Sequence, residues 1–126
     1  VDQRRILLID DSEITLAMEK TVLEERGYDV RATTTLLEFE KLLADFKPHV
    51  ILTDIHMPEA KGTDICRTLK NDYGTQDIPI VLFSSLKDDE LEALATQVGA
   101  DGYLSKAHGI EALGEKVDEL FDSIIW

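Results

Sequence analysis

The sequence predicts an α/β fold: an open, doubly wound parallel sheet of five strands with helices on both faces. Two observations predict it. Short apolar runs alternate five times with longer stretches of helical periodicity, with no linker, low-complexity segment or further repeat between them. The apolar runs are also continuous, which suits strands covered on both faces. At 126 residues the chain reads as one domain, 1–126, large enough for a true core.

Arg5 to Ile9 is the first strand, ending in Asp10-Asp11, and Ser12 is placed to cap the helix that follows. Ile14, Met18 and Val22 recur every four residues and predict that helix's inner stripe. Gly27 stands where a helix ends. Tyr28 to Ala32 is the second strand. Thr34 or Thr35 caps a second helix with Phe39, Leu42, Leu43 and Phe46 inward, stopped by Lys47-Pro48. The third strand covers 50–53 and gives way at Asp54 to a loop marked by Met57-Pro58 and Gly62. A third helix beyond Gly62 carries Ile65 and Leu69 and ends near Tyr73-Gly74. The fourth strand, Ile78 to Phe83, is the purest apolar run; it tolerates Pro79 at its start and ends at Ser84-Ser85. Asp88 is placed to cap a fourth helix with Leu91, Leu94, Ala95 and Val98 inward, closed by Gly99. Asp101 to Leu104 is the fifth strand, ending at Ser105-Lys106. The last helix runs from about Gly109 to Ile124 with Ile110, Leu113, Val117, Leu120, Phe121 and Ile124 on one side.

A net charge of −13 argues against direct nucleic-acid binding, which needs Lys and Arg on phosphates. It suits a bound cation or a basic partner surface, and most of it reads as simple solubility. Nothing resembles a membrane span or a targeting leader, and the chain opens on Val1 rather than Met, as a trimmed chain would. The single cysteine, Cys66, forms no internal disulfide and fits a cytoplasmic location.

Parallel strands put all their C-terminal ends on one edge, where ligands of such sheets bind. That edge gathers Asp10, Asp11 and Asp54, the hydroxyls of Ser84 and Ser105, and Lys106. One like-charge pair at ~4 Å costs on the order of 4 kcal/mol at an effective dielectric of ~20. A hard divalent cation such as Mg²⁺, helped by Lys106, is the natural offset. A carboxylate beside a cation, a lysine and a small hydroxyl fits phosphoryl transfer, with the carboxylate itself as nucleophile. No P-loop or GxGxxG occurs, so no nucleotide site is indicated.

With these residues in view, nearly the whole chain resembles a two-component response-regulator receiver domain of the chemotaxis-regulator type. The resemblance rests on Asp10-Asp11 after the first strand, Asp54-x-x-Met57-Pro58-x-x-x-Gly62, Ser84 after the fourth strand and Lys106 after the fifth. It implies a flavodoxin-like sheet of order 2-1-3-4-5 with five helices. It also implies that Asp54 takes a phosphoryl group from a phosphohistidine on a sensor histidine kinase or phosphotransfer protein. Asp11, Asp54 and the backbone carbonyl of His56 would ligate Mg²⁺, with Asp10 acting through water. Ser84 and Lys106 would bind the phosphoryl oxygens, and Tyr103 would be the switch aromatic. The output partner or domain would read the fourth helix, fifth strand and fifth helix, and a homodimer is left open. The domain would be a self-phosphorylating and self-dephosphorylating switch rather than a turnover enzyme.

The family lysine is generally followed by proline in a cis bond; here Ala107 follows, so a trans bond and an altered loop are expected. Ser84 replaces the commoner threonine, and Ser85 sits where alanine is frequent. Outside the constellation the plain readings are structural: Tyr103 alone as a half-buried strand aromatic, His49, His56 and His108 as surface loop side chains, Cys66 as packing, Lys61 and Lys87 as solvated, and Met57 and Pro58 as loop-shaping. Three other functions compete. A pseudo-receiver, a phosphorylation-independent interaction module, is opposed by the intact acidic set and kept open by Ala107. An aspartate-nucleophile phosphatase lacks its Asp-x-Asp motif and a cap domain. A flavin-binding protein would set three carboxylates against the flavin phosphate.

Overall fold

The structure, a computed structural model, describes residues 3–57 and 61–124, the latter without the Ile124 side chain. The expectations for Pro58 and the Ile124 side chain lie outside the described residues. The elements follow in strict alternation: β1 (Arg5–Ile9), α1 (Glu13–Glu25), β2 (Asp29–Thr33), α2 (Leu36–Asp45), β3 (Val50–Thr53), α3 (Gly62–Lys70), β4 (Ile80–Ser84), α4 (Asp88–Val98), β5 (Gly102–Ser105), a 3-10 turn (Lys106–His108) and α5 (Ile110–Ile124). The sheet order is β2-β1-β3-β4-β5 and every pairing is parallel, as expected.

Alternate strand residues feed two cores. Ile6, Leu8, Val50, Leu52, Val81 and Phe83 pack under α1 and α5 with Leu16, Leu23, Leu113, Val117 and Phe121. Leu7, Ile9, Ile51, Ile80 and Leu82 pack under α2, α3 and α4 with Phe39, Ile65, Leu69, Leu91 and Val98. Register positions the site. Ile9 pairs with Thr53, so the next residues, Asp10 and Asp54, leave the sheet side by side. Ser84 pairs with Ser105, which brings Lys106 to the same edge. Among the described residues no helix is long and apolar enough to cross a membrane.

Ser12 caps α1 through a bond from Thr15 N–H, and Thr35 caps α2 through one from Glu38 N–H. Gly27 and Gly99 follow α1 and α4 with positive φ, as helix ends favour. Several expectations need correcting. The inner stripe of α1 is Leu16, Glu19 and Leu23; Ile14 is 77% and Met18 52% exposed. The two stripes are both helical but centred roughly 130° apart at ~100° per residue, and the polar Glu19 hid the buried one. Asp88 does not cap α4: Lys87 is the N-cap residue, without a side-chain bond, and Asp88 turns to His108 at 2.8 Å. The helix α3 ends at Lys70, where a run of turns begins. The strands β2, β4 and β5 begin one or two residues late; Pro79 stands just before β4, where its carbonyl still accepts Ile51 N–H at 3.0 Å. His49 is not a loop ornament: half-buried, its Nδ1 accepts the Arg5 N–H at 2.9 Å and ties the start of β1 to the approach of β3.

Candidate functional site: an acidic pocket at the sheet edge

Asp10 and Asp54 each continue a strand by one backbone bond, Asp10 N–H to Thr33 O at 3.3 Å and Asp54 N–H to Ile9 O at 3.1 Å. Their side chains are therefore fixed where the ladder ends, and both are buried, at 2% and 8% exposure. Local bonds set their rotamers. Asp10 Oδ1 accepts Ser12 N–H at 3.0 Å and Asp54 Oδ1 accepts Ile55 N–H at 2.7 Å. The other oxygens face one cation: Lys106 Nζ stands 2.9 Å from Asp10 Oδ2 and 3.4 Å from Asp54 Oδ2. The Lys106 chain is half-buried, with its ammonium 5.6 Å from the Phe83 ring centroid.

Asp11 is exposed at the rim. Asp10, Asp11 and Asp54 each offer an oxygen within 4.8 Å of the others, so the set can hold a metal ion. Hard carboxylate oxygens at that spacing, with an exposed approach, suit a small divalent cation. The strain of crowding shows in protonation. A hydrogen bond with Asp10, then burial, then the charges of Asp10 and Asp54 hold the Asp11 carboxyl above its usual range. Burial alone would lower Lys106; the bond to Asp10 and the charges of Asp54, Asp10 and Glu19 raise it instead.

The loop after Asp54 is built around a close approach. Thr53 Oγ1 donates to the Asp54 carbonyl at 2.9 Å, and Gly62 N–H donates to Ile55 O at 3.0 Å. A Cβ on Gly62 would run into the Asp54 carbonyl, so the backbone there requires glycine. Across the pocket the 3-10 turn is held by Ser105 Oγ, which accepts Ala107 N–H at 3.2 Å. There is no cis peptide bond among the described residues, matching the trans bond expected at Ala107, and Lys106 still reaches both carboxylates.

The structure thus brings together Asp10, Asp11, Asp54 and Lys106. Ser84 lies fully buried on the same edge, its Oγ accepting Leu86 N–H at 3.3 Å. His56 follows the pocket as an exposed residue. Tyr103 is half-buried and turned outward: its hydroxyl donates to Glu92 at 3.3 Å. Cys66 is buried packing, its thiol pushed up to about 11 chiefly by burial. Sequence reasoning missed Glu19, buried on α1 in the field of Asp10, Lys106 and Asp54. Its spacing from Leu16 and Leu23 was the available signal.

A family model described as response regulator receiver domain matches residues 6–118. Among curated proteins, the DNA-binding dual master transcriptional regulator RpaA of Synechocystis sp. is 30% identical over 116 residues, 92% of this chain and 48% of that protein. The gliding motility regulatory protein of Myxococcus xanthus is 33% identical over 117 residues, again 92% of this chain but 15% of that protein. The chain spans about half or less of the length of these two relatives. Among solved structures, the signal receiver domain of a signal transduction histidine kinase from Syntrophus aciditrophicus is 29% identical, with a TM-score of 0.84 and coverage of 96% of this chain and 92% of that one.

Proposed function

Since the chain belongs to the response regulator receiver domain family, we propose that Asp54 is its phosphoacceptor and that residues 1–126 work as one conformational switch. Receiver domains are signalling modules of two-component systems, not turnover enzymes, and this one carries the acidic pocket for phosphoacceptance. In the proposed reaction an Asp54 carboxylate oxygen attacks the phosphorus of a phosphohistidine on a sensor histidine kinase or phosphotransfer protein. A P–O bond forms, the P–N bond breaks, and the imidazole leaves with the electron pair and takes up a proton.

Mg²⁺ is the cation proposed for Asp11, Asp54, Asp10 and the His56 carbonyl; when bound it neutralises charge on the transferring group. Lys106 and Ser84 take phosphoryl oxygens. Ser84 donates its O–H to a phosphoryl oxygen while its Oγ accepts Leu86 N–H, which couples the pocket to the approach of α4. Tyr103, tied outward to Glu92 here, is the proposed switch aromatic. The face of α4, β5 and α5 is the proposed output surface, for an effector or attached domain in the cytoplasm or for a second copy. The exposed Ile14 and Met18, on the first turns of α1 beside Asp11, offer the phosphodonor an apolar surface.

The observation that carries the reading is the Lys106 ammonium bridging two buried carboxylates at the end of the central strands. It also weighs against a phosphorylation-independent module, since Ala107 has not cost Lys106 its reach. The test is Mg²⁺ titration by calorimetry, with and without beryllofluoride. Wild type binds both; Asp11→Asn and Asp54→Asn weaken Mg²⁺ at least tenfold, and beryllofluoride adds nothing to Asp54→Asn. Equal binding by all three would dismiss the pocket.

A further inference from the structure

Glu19 occupies a place on the inward stripe of α1 where an apolar side chain belongs. Leu16 and Leu23 flank it at helical spacing, and both are buried. Glu19 itself is 3% exposed, and its Oε2 has no hydrogen-bond partner among the described residues. An unpaired buried carboxyl oxygen is a standing cost that leucine would avoid, so its presence calls for a reason. The charges facing it come from three elements: Asp10 after β1, Asp54 after β3 and Lys106 after β5. Burial, then Asp10, push the acid up to about 8, while Lys106 pulls the other way.

Lys106 is held here by Asp10 and Asp54. A divalent cation on those carboxylates takes over their charge and repels the ammonium. Lys106 then needs another acceptor, and the unpartnered oxygen of Glu19 is one. We propose that Glu19 is a positioning residue: it offers the Lys106 ammonium a second seat behind the pocket, filled when a cation binds Asp10, Asp11 and Asp54. It thereby eases cation binding and sets how readily Lys106 reaches a phosphoryl group on Asp54. This inference rests on the metal-dependent phosphoacceptor reading above.

The test is a double-mutant cycle on Mg²⁺ affinity, by calorimetry, with wild type, Glu19→Leu, Lys106→Met and the double variant at pH 6.5 and 8.5. Glu19→Leu puts an apolar side chain into an apolar stripe and is expected to fold, which thermal melts confirm. At pH 8.5 it should weaken Mg²⁺ three- to tenfold, and less at pH 6.5, where the acid holds its proton. Glu19→Gln, which keeps the shape without the charge, should follow Glu19→Leu at pH 8.5. In the Lys106→Met background the Glu19 effect should vanish. An equal loss in both backgrounds would make Glu19 a distant charge and overturn the proposal, as would no loss at either pH. Mg²⁺ binding by wild type with either of these results removes this inference alone; no binding by wild type removes the phosphoacceptor reading with it.

Discussion

Asp54 and Lys106 were legible because each is the first charged residue after a strand, and parallel strands deliver such residues to one edge. Glu19 was not: a glutamate on an amphipathic helix reads as solvated until the helix is docked. Its protonation has a stability consequence. The carboxyl rises from 4.5 to about 8 on folding, and each unit is worth about 1.4 kcal/mol. Below pH 4.5 both states hold the proton and the group adds no pH-dependent cost. Between 4.5 and about 8 the unfolded chain has lost it and the folded chain has not, so stability falls as pH rises, by a few kcal/mol at most. Glu19→Leu should therefore melt above wild type, with a gap that widens between pH 5 and pH 8 in thermal scans. A constant gap would mean the carboxyl is solvated. His49 was equally hidden, because its value lies in a backbone N–H on a distant strand, Arg5.

At the scale of elements, the alternation was readable throughout and the edges were not. Pro79 sits second in an apolar run and donates no N–H, although its carbonyl accepts from Ile51, and β4 starts at Ile80. Which face of α1 turns inward is set by its docking on the sheet, and two helical stripes were available to choose from. Caps carry measurable weight. Ser12→Ala should cost about 1 kcal/mol by urea unfolding, with Asp10 still held by the residue-12 backbone N–H. Gly62→Ala acts at the start of α3, where the added methyl meets the Asp54 carbonyl and Thr53 Oγ1. It should lower stability by about 1–3 kcal/mol and weaken Mg²⁺ through the displaced loop. An unchanged urea midpoint would show that the loop gives way freely.

Across the whole molecule, five βα units predicted the layers, while the strand order came with the family resemblance, since alternation alone permits several orders. The excess of acidic charge is a global load. Raising NaCl from ~10 mM to ~0.2 M shortens the screening length and should raise the melting temperature. Mg²⁺ at matched ionic strength should raise it further in wild type by binding the folded state. Asp54→Asn should melt higher than wild type in metal-free buffer, because one of three crowded carboxylates is gone, and should lose the Mg²⁺-specific increment. A mutant that melts lower, with no Mg²⁺ effect in wild type, would mean that the three carboxylates do not form a repelling cluster. The most direct measurement is intact mass after incubation with acetyl phosphate and Mg²⁺. Wild type should gain one phosphoryl group with Mg²⁺ and none when Mg²⁺ is removed before the donor is added, and Asp54→Asn should gain none; a wild type that stays unmodified, or a mutant labelled as readily as wild type, would contradict the assignment.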